Sequence, residues 1–170
     1  MEERWDAYNR GGVLESKGTL GPEVKIPSGQ YHIAVDVVIR HIDKDVMIVR
    51  REYHKKFGGY YDISISGNVL AGESTKAAAR RMARDILDLD LPSVKLLCIS
   101  NDDTNQVIYY SFLAEVNCEK SSIKMNQKEA LGYKWCAPYE LTNAIKNGVV
   151  QQPLLLRLKH FLTVEGYSRY

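Results

Sequence analysis

The sequence predicts an α/β protein in which a mixed β-sheet is sandwiched between α-helices. Segments rich in β-branched residues are typical of strands, and three segments rich in Ala, Leu and other helix formers are typical of helices. Their order along the chain is strands, helix, strands, helix, helix, which favours a sheet covered on its faces by helices. The length of 170 residues fits one domain, so we assign residues 1–170 to a single domain.

The first third of the chain contains an arm followed by a predicted hairpin. Residues 1–30 carry Gly-Gly, Gly-Pro and Pro-Ser-Gly runs that mark turns, so we predict an N-terminal arm of turns and short strands. Residues 31–40 are rich in Val and Ile, and residues 46–49 form a short apolar run. The polar residues 41–45 separate the two runs, which together predict a β-hairpin.

The remaining elements follow from glycine and proline positions and from hydrophobic periodicity. A strand is predicted over residues 60–66, and a helix over residues 74–87 with Ser74 or Thr75 as its N-cap. Gly67 and Gly72 bracket the loop between that strand and that helix. Further strands are predicted at 94–100, 106–116 and 132–137, and further helices at 138–146 and 153–162.

Composition and charge argue against several classes of partner. A formal net charge of +2 gives no support for a nucleic acid polymer as the main ligand. No apolar run approaches the roughly 18–20 residues that span a bilayer, so we expect no membrane partner. The charged start of the chain predicts no secretory signal, and the widely spaced Cys98, Cys118 and Cys136 suit a reducing compartment. We therefore expect a cytoplasmic protein.

One motif connects the loop and the first helix. Gly67, Glu73, Arg81 and Leu89 are separated by five, seven and seven residues, and they lie in a strand, a glycine-bounded loop and a helix. This pattern resembles the box of the Nudix hydrolase superfamily. The resemblance covers roughly residues 30–162 and implies the Nudix fold. Tyr31-His32 and the Gly72-Glu73-Ser74 run are most similar to the branch that includes isopentenyl diphosphate isomerase.

The resemblance also implies roles for individual residues. In the family, the residues that match Glu73 and Arg81 pair and brace the loop, to which Gly67 and Gly72 also belong. Three family glutamates bind Mg²⁺ or Mn²⁺ from one helix face, but their positions hold Met82, Asp85 and Ile86 here, so the box is degenerate. Candidate catalytic residues are Asp85 and Glu129, and candidate metal ligands are Asp85, Gly67 and Glu129.

A basic run precedes the box by a few residues. It comprises Arg50, Arg51, Lys55 and Lys56 and follows a predicted strand. Arg offers a planar fork of donors that suits phosphate, and Lys offers a mobile point charge. The family position of the run predicts that these four residues bind the phosphates of a substrate, although a solvated loop is an equally simple interpretation.

Three functions stay open at this stage. The first is a Nudix hydrolase of a nucleoside diphosphate-type molecule, which would need Mg²⁺ or Mn²⁺. The second is a non-catalytic Nudix module that binds a phosphorylated small molecule and needs no metal. The third is an isomerase of the isopentenyl diphosphate type, which uses a cysteine and a histidine around the box glycine where this chain has Ser66 and Asn68, with only His32 matching a metal ligand. A homodimer is compatible with all three.

Overall fold

The computed structural model describes residues 2–168 and contains nine strands, four α-helices and one short 3-10 helix. The strands are β1 (Trp5–Asn9), β2 (Leu14–Leu20), β3 (Gln30–His41), β4 (Val46–Arg51), β5 (Tyr61–Asp62), β6 (Ile65–Asn68), β7 (Lys95–Asp102), β8 (Val107–Val116) and β9 (Ala130–Cys136). The helices are α1 (Thr75–Leu87), α2 (Pro138–Lys146), α3 (Gln152–Arg157) and α4 (Lys159–Val164), and the 3-10 helix is Lys120–Ser122. Residues 1, 169 and 170 of the predicted domain lie outside the described residues.

Strand β3 is the centre of the sheet. It pairs in parallel with β8, from His32 opposite Val107 to His41 opposite Val116. It pairs antiparallel with β6, β4 and β1. Strand β9 extends the sheet beyond β4, and β7 extends it beyond β8. The predicted mixed sheet is therefore confirmed.

Helices cover both faces of the sheet, as the sequence predicted. Side chains alternate along a strand, so Val37 and its odd-numbered neighbours on β3 face one core and Val38 faces the other. The first core is closed by α1 and the second by α2, α3 and α4. This double burial explains why residues 31–40 read as one nearly continuous apolar run. No helix among residues 2–168 has the length and apolar character that crossing a bilayer requires.

The N-terminal arm forms an antiparallel pair, β1 and β2, and β1 continues the sheet from β3. Both strands fall within residues 1–30, where an arm of turns and short strands was predicted. The ring of Trp5 stacks on His32 of β3 with 4.2 Å between centroids and 16° between planes. Because of this stack, the arm is packed against the part of the sheet where the box loop begins.

Two predicted elements are each divided in the structure. The strand over residues 60–66 becomes β5, which pairs with β4, and β6, which pairs with β3. The Ser64 hydroxyl lies between those two strands, donating to the Met47 carbonyl and accepting from the Ile39 N–H. The helix over residues 153–162 becomes α3 and α4, with a break at the fully buried Leu158. Such breaks depend on tertiary partners, which local patterns do not reveal.

Helix α1 has a conventional start and an unusual end. The Ser74 hydroxyl accepts the Ala77 N–H at 3.2 Å, so Ser74 is the predicted N-cap. Asp88, which occupies the position of the last box glycine, closes the helix in the left-handed conformation with φ 49° and ψ 40°. Its N–H bonds to the carbonyls of Ala83 and Arg84. The backbone geometry that glycine favours is therefore kept without the glycine.

We expect Asp88→Gly to stabilise the protein by about 0.5–1 kcal/mol, because glycine adopts this conformation without the steric cost of a Cβ atom. The ion pair that is lost, with Lys124 at 3.8 Å, is exposed and contributes little. Urea unfolding measures the change. The matched control is the nearby exposed Asp90→Gly, which should be neutral or destabilising because Asp90 has no positive φ. Equal effects of both variants would contradict the explanation.

Candidate functional site

The loop before α1 is fixed by an ion pair between Glu73 and Arg81. Arg81 donates from Nε to Glu73 Oε1 at 2.8 Å and from Nη2 to Oε2 at 3.0 Å, and Nη2 also donates to the Asn68 carbonyl at 3.0 Å. Glu73 in turn accepts the Leu70 N–H at 3.1 Å. Hydrogen bonding to Glu73 raises the pKa of Arg81. The predicted ion pair is present, and it connects both ends of the loop 68–73 to the helix.

The face of α1 beside this loop is mostly apolar. Met82 is buried, and a Cβ atom placed on Gly67 would lie 2.6 Å from the Met82 sulfur. Ile86 is half-buried, whereas the Asp85 side chain is 61% exposed and lies 3.8 Å from Arg81. Glycine at position 67 therefore allows the helix to approach the strand closely. Asp85 is the one carboxylate among the three positions that carry glutamates in the Nudix box.

A cleft of about 420 Å³, here called the box cleft, lies between this face of α1 and two loops. It brings together Asp85, Glu129, Gly67 and Lys55, which were predicted from widely separated parts of the sequence. Lys55 Nζ donates to Glu129 Oε2 at 2.7 Å and to the Glu129 carbonyl at 3.0 Å. The remaining lining residues are Glu3, Ser66, Asn68, Leu70, Arg81, Met82 and Ile86.

The structure separates the four residues of the basic run. Lys55 lines the box cleft, and Arg51 and Lys56 line the cavity next to it. Arg50 does not join them, which corrects the prediction: it donates to the Gly59 carbonyl at 3.1 Å and lines a shallow depression on another part of the surface. The pairing of β4 with β9 is irregular between Arg50 and Arg51, and the two side chains line different hollows.

Arg51 is held by a buried carboxylate. Its Nη1 donates to Asp62, and its Nε donates to the Lys56 carbonyl at 2.8 Å. Asp62 is buried and also accepts a hydrogen bond from the side-chain amide of Gln151. Burial raises the pKa of Asp62, and the charge of Arg51 opposes this rise. Arg51 therefore combines a structural bond to Asp62 with a position beside the cleft.

A second hollow of about 450 Å³, here called the Arg157 cavity, shares Ser66, Gly67 and Asn68 with the box cleft. Arg157, at the end of α3, donates from Nε to Asp36 Oδ2 at 2.7 Å and from Nη2 to Oδ1 at 2.9 Å. Its guanidinium lies 3.8 Å from the ring centroid of Tyr109. The other lining residues are Trp5, His32, Ala34, Arg51, Lys56, Phe57, Asp102, Asn105, Val107, Gln151 and Pro153.

His32 forms part of the wall of the Arg157 cavity. Its ring is 6% exposed, and its Nδ1 atom is buried without a hydrogen-bond partner among residues 2–168. Burial lowers the pKa of His32 to about 4, so the ring is neutral at pH 7. His32 therefore contributes a neutral, buried ring to the wall, and its Nδ1 atom is shielded from the cavity.

Sequence reasoning missed three residues of this region. Asp36 and Arg157 are far apart in the chain, although a lone acid inside the apolar run 31–40 was a signal, because a buried carboxylate needs a partner. Glu3 of the arm lines the box cleft, where its Oε1 accepts from Trp5 Nε1 at 2.7 Å and from Asn68 Nδ2 at 3.1 Å. No local pattern indicates that the arm reaches the cleft.

The family model described as the NUDIX domain matches residues 30–158, well over half of the chain. The chain belongs to the Nudix family. An uncharacterized Nudix hydrolase from Listeria innocua is 30% identical over 90 residues, which are 52% of this chain and 53% of that protein. A similar protein from Listeria monocytogenes is 30% identical over 88 residues, 51% of this chain and 52% of its own length. The chain thus spans about half the length of the curated relatives it matches.

Solved structures confirm the Nudix fold. The Deinococcus radiodurans protein DR0079 has a TM-score of 0.75 and 21% sequence identity, and the match covers 93% of this chain and 98% of that one. The NUDIX domain of Shewanella oneidensis NrtR, solved in complex with ADP ribose, has a TM-score of 0.56 and 16% identity, covering 74% of this chain and 82% of that domain. At these identities the similarity shows the fold and not the activity.

Nudix hydrolases generally use divalent metal ions, so the side chains of the site have to be compared with what such an ion requires. Among residues 2–168, no group of three or more His, Cys, Asp or Glu side chains is arranged to hold a metal ion. Asp85 lies beside Arg81, Glu129 is bonded to Lys55, and Met82 and Ile86 supply no oxygen. Magnesium requires oxygen ligands in a near-octahedral arrangement. The described side chains do not fit a resident metal ion of this kind.

Proposed function

We propose that this protein binds a phosphorylated small molecule of the nucleoside diphosphate type and hydrolyses it slowly or not at all. The observation that supports this proposal is the continuity of the box cleft with the Arg157 cavity through Ser66, Gly67 and Asn68. Cations from the predicted basic run line both hollows. A ligand with a diphosphate and an organic group would therefore contact both parts of the same cleft.

The low turnover follows from the chemistry of α1. Cleavage of a diphosphate requires neutralisation of phosphate charge and activation of water, which a metal cluster supplies in related reactions. Here Asp85 offers one exposed carboxylate, and Glu129 is engaged with Lys55. The proposed catalytic and metal-binding roles of Asp85, Glu129 and Gly67 therefore depend on a rearrangement when ligand and Mg²⁺ or Mn²⁺ arrive together.

A fully active hydrolase is the second candidate. Glu3, Asp85 and Glu129 all line the box cleft, and they come from the arm, from α1 and from the loop before β9. Movement of Lys55 from Glu129 onto a phosphate would leave Glu129 free to act as a base. Turnover lost in Glu129→Gln would favour this candidate.

Isomerase chemistry of the isopentenyl diphosphate type has less support. The box glycine is flanked by Ser66 and Asn68, where that branch uses cysteine and histidine. His32, which matches a histidine ligand of the isomerases, is buried and stacked on Trp5. The resemblance of Tyr31-His32 to this branch therefore gives little support for isomerase activity.

Calorimetric titration tests the proposal. We expect ADP to bind with and without Mg²⁺, and Lys55→Met to weaken ADP binding by about tenfold when Mg²⁺ is present, because a charge-assisted hydrogen bond in the box cleft is lost. Lys76→Met, which removes an exposed lysine of α1, is the matched control and should bind as the wild type does. A parallel assay of phosphate release should show slow or no turnover. Absence of binding to any phosphorylated ligand would contradict the proposal.

A further inference from the structure

The charges of the two hollows differ. The box cleft is lined by Glu3, Asp85 and Glu129, and its two cations are already bonded, Lys55 to Glu129 and Arg81 to Glu73. Acidic groups are therefore in excess in the box cleft. An anion placed there without a metal ion would meet net repulsion.

The wall of the Arg157 cavity contains more cationic than acidic side chains. Arg51, Lys56 and Arg157 line it, and Asp102 is the one acidic side chain among the described residues that form its wall. Both carboxylate oxygens of Asp102 are occupied by Asn105, one by its N–H at 3.0 Å and the other by its side-chain amide at 2.6 Å. Asp36 and Asp62 behind the wall offset part of the charge of Arg157 and Arg51, so the cavity offers a negative group oriented donors more than net positive charge.

Buried carboxylates orient the two arginines. Asp36 is fully buried and binds Nε and Nη2 of Arg157, while the Tyr109 ring fixes the guanidinium plane. Asp62 binds Nη1 of Arg51 in a similar way. Arg157 Nη1 and Arg51 Nη2 make no hydrogen bond to residues 2–168, and neither is a buried unpaired atom. Each guanidinium thus keeps an accessible donor group.

We propose that the Arg157 cavity is a phosphate-binding site in which Arg157, Arg51 and Lys56 hold a phosphate group of the ligand without a divalent metal ion. Lys56 interacts with the charge of Asp102 and its amine lies 5.5 Å from the centroid of the Phe57 ring, so a bound phosphate would be a second counter-charge for this amine. The volume of about 450 Å³ leaves room for an organic group beside the phosphate. This inference rests on the proposed function insofar as the ligand is phosphorylated.

Titration in excess chelator tests the site with inorganic phosphate, AMP and adenosine as probes. We expect AMP to bind more tightly than phosphate or adenosine, and Mg²⁺ to leave AMP affinity unchanged. Lys56→Met and Arg157→Lys should each weaken AMP binding by about tenfold, the latter because one amine cannot bind Asp36 and present a second donor. Lys76→Met should have no effect. A thermal melt of Arg157→Lys verifies that this variant is folded.

The outcomes separate this inference from the proposed function. AMP binding in chelator that both cavity variants weaken supports the site. Binding that requires Mg²⁺ and is lost in Asp85→Asn, but not in Arg157→Lys, would place the phosphate over α1 and overturn the inference while the proposed function stands. Binding of none of these probes, nor of ADP, would overturn both.

Discussion

Asp36→Ala is expected to lower the free energy of unfolding by about 3–5 kcal/mol, because it leaves the Arg157 charge buried without its partner. The Asp36 side chain is 0% exposed and that of Arg157 is 13% exposed. Asp36 also accepts the Ser111 hydroxyl at 3.2 Å, so the substitution removes a second hydrogen bond inside the sheet. Urea denaturation monitored by circular dichroism measures the loss.

An exposed pair of the same geometry provides the control. Arg10 donates two hydrogen bonds of 2.9 Å to Asp103, with side-chain exposures of 65% and 56%. Arg10→Met should cost only about 0.2–1 kcal/mol, because water screens and replaces this ion pair, and it leaves in place the Tyr31 hydroxyl that Asp103 accepts at 2.9 Å. The double variant Asp36→Ala, Arg157→Met should recover part of the loss by removing the unpaired charge. A loss in Asp36→Ala as small as in the control would show that Arg157 finds another partner.

Most of the fold was accessible from the sequence because each core face leaves a periodic signal. The run at 31–40 predicted the central strand. Pro138 predicted the start of α2, and the Asn147-Gly148 pair predicted its end at residue 146. The divided strand at 61–68 was not accessible. Its break arises because β5 and β6 pair with different strands, and a run of apolar residues carries no information about which partner each residue meets.

The candidate site was only partly accessible. The resemblance to the Nudix box, with Glu73 and Arg81 at its spacing, predicted their ion pair. Arg50 lines a different hollow from Arg51, and the irregular strand pairing between these two residues leaves no signal in the sequence. Arg157 and Glu3 lay beyond local reasoning, because α3 and the N-terminal arm meet the cleft only through tertiary packing. The sequence around a charged residue does not show which distant residue it will pair with.

The double substitution Met82→Glu with Ile86→Glu should make the stability of the protein depend on Mg²⁺. Positions 82, 85 and 86 share one face of α1, so three carboxylates would meet at the box cleft. Without metal they repel, and the carboxylate introduced at position 82 would replace a buried side chain that packs against Gly67. In chelator, we expect the double variant to have a free energy of unfolding about 3 kcal/mol or more below that of the wild type. Mg²⁺ at about 100 times its dissociation constant should raise the free energy of unfolding by about 2.7 kcal/mol.

The matched control is Met82→Gln with Ile86→Gln, which has similar size and polarity but no charge. This variant should be less stable than the wild type, because it buries an amide against Gly67. Mg²⁺ should not restore its stability, because a neutral amide contributes no charge to a divalent site. Melting temperatures of both variants in chelator and in Mg²⁺ give the comparison. If the two variants respond alike to Mg²⁺, the α1 face is only a packing surface. A metal response confined to the glutamate variant would show that the rest of the cleft still supports the metal chemistry of the family.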